Sequence, residues 1–237
     1  MRRDAWRDGL ACLVLLSGLA LGGRELAGLG PWFHLKTVIV FGAAFGWVLH
    51  GLAAHAPHQR FGAANRVTLV RLALVALLAA GIGEAFADRD ALAWAAVAVA
   101  TTAALLDALD GPLARAQGAA SAFGARFDME TDALLVLVLS VLVVRFEKAG
   151  SWILAAGLMR YAFVLAARSW PWLARPLPPS TRRKAVCVLQ ITALIVCLGP
   201  VVSPAWSARI AAASLAALGA SFALDIAWLA RRRRETA

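Results

Sequence analysis

Residues 105–132 read LLDALDGPLARAQGAASAFGARFDMETD, and the four aspartates in this stretch decide how the rest of the chain is read. Apolar runs flank it, 91–106 on one side and 133–144 on the other. Asp107 and Asp110 are three residues apart and Asp128 and Asp132 four apart, so on helices each pair projects from one face, one turn apart. Carboxylates beside hydrocarbon are costly unless they are paired or hold a cation, so a cluster of four marks a functional site. Their hard oxygen ligands suit Mg²⁺ or Mn²⁺, and no Cys or His lies in the stretch to favour zinc. Gly111 and Gly124 let a ligand or a second helix come close to the backbone. Arg115 adds a planar fork for phosphate oxygens.

Composition sets the fold class. Of 237 residues, 61% are hydrophobic and only 16% charged, and the mean hydropathy is +0.72. Those values exceed the apolar share of soluble domains and point to an all-α integral membrane protein. The net charge of +10 raises nucleic acid as a partner, but no soluble basic domain is present to bind it, so anionic lipid headgroups are the expected partner. Cys12, Cys187 and Cys197 fall inside apolar runs and read as small buried side chains.

Taken in order, the chain reads as about eight membrane helices. Arg2, Arg3 and Arg7 precede the apolar run 9–23, a layout shared by signal peptides and first membrane helices. The retained helix is the reading adopted, because the charge count below closes with it. A second run spans 37–54, and the polar connection HAPHQRFGAANR (55–66) separates this helix pair from the remainder. The expected division is therefore an N-terminal extension over 1–60 and a core over 61–237. From Asn65, the residues Asn65, Thr68 and Arg71 share roughly one helix face. Asn65 reads as a helix cap there, and Arg71 either snorkels to the headgroups or faces the site.

Arg160 is the one charge inside the run 149–167, and is expected to line a polar cavity or meet a carboxylate. The loop ARSWPWLARPLPPSTRRKA (167–185) brings Trp170 and Trp172 to the interface, followed by Arg182, Arg183 and Lys184. Those three cations read as a positive-inside anchor or as a recess for an anionic acceptor. Asp225, near the end of the last helix, is left open between Arg209 and the Arg231–Arg234 run. With eight helices and the N-terminus inside, most of the 24 Lys and Arg, including Arg231–Arg234, fall on the inner side together with the aspartates. The site then faces the cytoplasm.

The spacing DxxDGxxAR, eight residues, then GxxxDxxxD is filled by Asp107, Asp110, Gly111, Ala114, Arg115, Gly124, Asp128 and Asp132. This pattern resembles the signature of the CDP-alcohol phosphotransferase family. The resemblance implies a six-helix core preceded here by a helix pair, and an enzyme moving a substituted phosphate from a CDP-linked donor to a hydroxyl with release of CMP. By the same resemblance, Asp107, Asp110, Asp128 and Asp132 hold two divalent ions, and Asp132 is the base. Gly111, Ala114, Arg115 and Gly124 line the nucleotide and phosphate pocket, with Asn65, Thr68 and Arg71 as further candidates. Arg160, Arg182, Arg183 and Lys184 are then candidates for the acceptor. CDP-diacylglycerol is the implied donor, glycerol 3-phosphate the preferred acceptor, a homodimer the implied assembly and a bacterial inner membrane the setting.

Three other classes compete. The motif is shared by enzymes that pass a headgroup from a CDP-amino alcohol to diacylglycerol. A membrane prenyltransferase would carry two separated aspartate motifs, and this chain has one. A transporter using intramembrane carboxylates would show repeated halves with broken helices.

Overall fold

A computed structural model describes residues 2–53, 61–84, 88–116 and 121–235. The described residues form eight α-helices and no strand: α1 (Arg2–Ala27), α2 (Phe33–Ala53), α3 (Ala63–Ala80), α4 (Arg89–Ala116), α5 (Ala122–Arg145), α6 (Leu154–Ser169), α7 (Thr181–Leu198) and α8 (Pro204–Glu235). Short 3₁₀ turns at Ser151–Ile153 and Pro171–Ala174 flank α6. Five helices, α1 to α4 and α8, are long and apolar enough to cross a membrane. The other three also carry charges inside their helices. Asp128, Glu130 and Asp132 lie in α5, Arg160 in α6, and Arg182, Arg183 and Lys184 in the first turn of α7. This is an all-α integral membrane protein.

The chain divides into two compact units, Met1–Leu134 and Leu135–Ala237. In the first unit, α1 and α2 pack on each other and on α3. Their shared core includes Leu16, Phe41, Phe45, Leu69, Leu72 and Phe127. Gly9 makes room for this packing, because a Cβ there would meet the ring of Phe45 at 2.1 Å. Two polar ties add to it: Arg66 Nε donates to Asp8 Oδ2 at 2.7 Å, and Glu84, which is buried, accepts from the Gly30 backbone N–H and the Lys36 ammonium. A carboxylate so placed needs both donors. The residues 54–60, where the division between extension and core was expected, lie outside the described residues, as do 85–87 of the acidic turn.

Helix boundaries follow local chemistry. Ser121 Oγ accepts from the Gly124 N–H at 3.0 Å and starts α5. Ser180 caps α7, so that helix begins before the apolar run and takes Arg182 and Arg183 into its first turn. Asn65 is not a cap. The N-cap of α3 is Gly62, with φ 72°, and Asn65 lies inside the helix, where its amide donates to the Phe61 carbonyl. A left-handed N-cap position favours glycine over a branched polar residue.

In the second unit, α7 and α8 run antiparallel as a hairpin. Cys197 and Ser207 exchange side-chain to carbonyl hydrogen bonds near its turn, and Arg182 reaches Ser221 at its other end. Small residues Ser207, Ala211, Ser214 and Ser221 form the buried stripe of α8, which lets the helices approach closely. Lys148 Nζ donates to the carbonyls of Gly199 and Val202 beyond the end of α7, at 3.0 and 2.6 Å, complementing the negative end of that helix. Cys12 and Cys197 are buried and all three cysteines are free thiols.

Candidate active site

The site is assembled by α3, α4 and α5 within the first unit. α3 is apolar nearly all round, and its one interior charge, Arg71, is 0% exposed. The guanidinium is completely spoken for. Nε donates to the Ala103 carbonyl of α4 at 3.2 Å, Nη1 meets Asp107 Oδ1 at 2.7 Å, Nη1 also reaches Asp128, and Nη2 reaches Asp132. Arg71 therefore does not snorkel. Three carboxylates neutralise it where water cannot, so the headgroup region has nothing to offer it.

From the carboxylate side the same cluster looks different. Single oxygens of Asp107, Asp128 and Asp132 lie within 4.8 Å of one another and could hold a metal ion. Their side chains keep some access, 26%, 36% and 17% exposed, while that of Arg71 keeps 1%. Three formal negative charges against one positive leave an excess of two. An all-oxygen donor set with that excess fits a divalent hard cation. Asp110 follows Asp107 by one turn on α4 and so shares its helix face. The side chains of Asp110, Gly111, Ala114 and Arg115 lie outside the described residues.

The other sequence candidates fall into two groups. Thr68 and Asn65 are buried one and two turns before Arg71. Thr68 donates within the helix to Ala64, at 3.1 Å. Gly124 stands against Asn65: a Cβ at Gly124 would lie 2.8 Å from Asn65 Oδ1, so glycine is what lets α5 close on α3 here. Arg182, Arg183 and Lys184 belong to the second unit, as does the half-buried Arg160. Arg182 donates to Ser221 and, like Arg183, pairs with Asp225, which is 8% exposed. Arg183 also donates to the Pro178 carbonyl. Asp225 thus pairs with Arg182 and Arg183, and not with Arg209 or the Arg231–Arg234 run expected from the sequence, because the antiparallel hairpin brings the start of α7 beside this turn of α8. Lys184 is exposed on the first turn of α7.

The reading from sequence treated Arg71 as one residue on a polar face and missed it as the hub of the cluster. The available signal was charge balance, since a lone arginine inside an apolar helix needs a carboxylate and the chain has a cluster of them.

These features define a helical site whose three carboxylates could hold a metal ion. A sequence model of the CDP-alcohol phosphatidyltransferase family matches residues 61–225, from the start of α3 into α8. The chain belongs to that family, and α1 and α2 precede the matched segment. Its members are transferases of substituted phosphate groups, use divalent metal, and move a phosphatidyl group from a CDP-alcohol donor to an alcohol acceptor in a membrane. Searches of curated proteins and of solved structures give no match.

Proposed function

We propose that this protein transfers the phosphatidyl group of CDP-diacylglycerol to the hydroxyl of a small polar alcohol, with glycerol 3-phosphate the first choice, and releases CMP. The observation that carries this reading is the cluster of Asp107, Asp128 and Asp132 around Arg71, with its excess of negative charge. Asp107, Asp110, Asp128 and Asp132 would hold one or two Mg²⁺ or Mn²⁺ ions. Such ions would supply positive charge to offset that of the pyrophosphate and of the leaving CMP.

The chain's own residues supply the rest. Asp132 takes the proton of the acceptor hydroxyl as it attacks the phosphorus. Arg71 pins Asp132 and Asp128 from below, so the oxygens left for the substrate side are held in one orientation. Gly111, Ala114, Arg115 and Gly124 form the nucleotide and phosphate side of the pocket, with Asn65 and Thr68 behind them. Arg182 and Arg183 take the anionic group of the acceptor, with Lys184 and Arg160 in support. A phosphorylated acceptor must then compete with Asp225, which already engages both arginines. Placing the active site on the cytoplasmic side of a bacterial inner membrane rests on the charge asymmetry of the loops, and a homodimer rests on the family resemblance.

The test is CMP release by purified protein in detergent with Mg²⁺ and CDP-diacylglycerol, adding glycerol 3-phosphate, serine, inositol phosphate, inositol and choline one at a time. Release that depends on glycerol 3-phosphate supports the reading in full. Release with serine, inositol or choline alone keeps the class and replaces the acceptor. Folded protein that transfers a headgroup from a CDP-amino alcohol to diacylglycerol, and does not use CDP-diacylglycerol, reverses the direction.

A further inference from the structure

The second unit contains an open cavity of about 470 Å³ with almost wholly apolar walls, within the 300–1,000 Å³ typical of small-ligand sites. Two matching helix stripes build it. Met159, Phe163 and Ala166 come from one face of α6, and Gly219, Phe222 and Ile226 from one face of α8. Phe163 and Phe222 meet edge-on, with ring centroids 5.9 Å apart. Trp170 and Trp172, from the turn after α6, close one end.

That end is cationic. The Arg233 guanidinium lies 5.9 Å from the centroid of the Trp172 ring, and Arg232 lies 4.6 Å over Trp228. Arg175 Nη1 donates to the Arg232 carbonyl at 3.3 Å, tying the turn after α6 to the end of α8. The connection from Arg168 to Lys184 contains no acidic residue. An apolar slot that runs along α6 and α8, ends at tryptophans and is followed by three arginines has the polarity of a phospholipid: chain, interface, anionic headgroup.

We propose that this cavity holds an acyl chain of one anionic membrane phospholipid, whose headgroup phosphate lies on Arg175, Arg232 and Arg233. The occupant is a bound lipid and not the reaction's donor, since the slot carries no carboxylate and no group that reads a nucleotide. The proposal does not depend on the transfer reaction, and its readout is lipid retention.

The experiment strips the detergent-purified full chain of lipid and incubates it with phosphatidylglycerol or phosphatidylcholine of matched chains. Bound lipid is then counted by native mass spectrometry. The expected result is one phosphatidylglycerol per chain, retained more strongly than phosphatidylcholine by about fivefold for each arginine engaged. R232Q/R233Q, at exposed positions that leave the core intact, should keep only the roughly fivefold preference that Arg175 supplies. G219L should bind neither, because a Cβ at Gly219 meets no atom within 4 Å and the leucine would enter the slot. Equal retention of both lipids by the wild type overturns the proposal. So does retention unchanged in G219L, displacement of phosphatidylglycerol by equimolar CDP-diacylglycerol, or a loss of dimer in G219L without loss of lipid, which would assign the slot to a second copy.

Discussion

The two units of this protein each bury the central ion of a cluster, and the clusters are inverses. In the first, one guanidinium, Arg71, is surrounded by Asp107, Asp128 and Asp132. In the second, one carboxylate, Asp225, is gripped by Arg182 and Arg183. Each has a central ion too weak in charge to neutralise its surroundings, so the first is left with negative charge and the second with positive. A purely structural ion pair would be balanced, since an uncompensated charge in a poorly solvated site is expensive. The imbalance leaves the first cluster able to hold a cation, and it is the ground on which the second is proposed to take an anionic group.

Four substitutions test this contrast, in descending order of expected effect. Asp132→Asn should lower transfer by about 10²–10⁴-fold, the usual worth of a positioned base, while donor and Mn²⁺ binding persist. Full activity in that variant, measured as acceptor-dependent CMP release, would remove Asp132 from the base role. Arg71→Gln takes away the cation that pairs with three carboxylates, and should destabilise the metal-free protein by about 3–5 kcal/mol. Millimolar Mg²⁺ should raise the variant's Tm more than the wild type's. Equal shifts would mean that Arg71 and the metal do not share the carboxylates.

A smaller effect is expected at the contact between α3 and α5. Gly124→Ala forces a Cβ against Asn65 and should cost about 1–3 kcal/mol of thermal stability, as overpacking does. An unchanged Tm would show that Asn65 moves aside freely. Asp225→Asn is the mildest. It should lower KM for glycerol 3-phosphate by up to about tenfold, the scale of one charged hydrogen bond, and leave KM for an uncharged acceptor alone. A KM that rises for both would make Asp225 a scaffold residue.

The helices and the aspartates were legible in the sequence because both are local signals. Apolar runs of membrane length identify α1 to α4 and α8, and the spacing of the aspartates needs only helical periodicity. What pairs with those aspartates was not legible. Arg71 lies 57 residues from Asp128 and 61 from Asp132, so its role depends on how α3, α4 and α5 converge. Asp225 was undecided for the same reason, since its partner Arg182 is 43 residues away. Asn65 misled for a different one. Asparagine before an apolar run is a good cap signal, but Gly62 three residues earlier accepts the positive φ and starts the helix first.

The most direct test of the central claim is Mn²⁺ binding to the purified protein, followed by electron paramagnetic resonance in the wild type and in Asp128→Asn. The account predicts saturable binding in the wild type, competed by Mg²⁺, and its loss in the variant while the helical circular dichroism stays the same. Folded wild-type protein that binds no Mn²⁺, or a variant that binds it equally well, would contradict the account and leave the aspartates as nothing more than partners of Arg71.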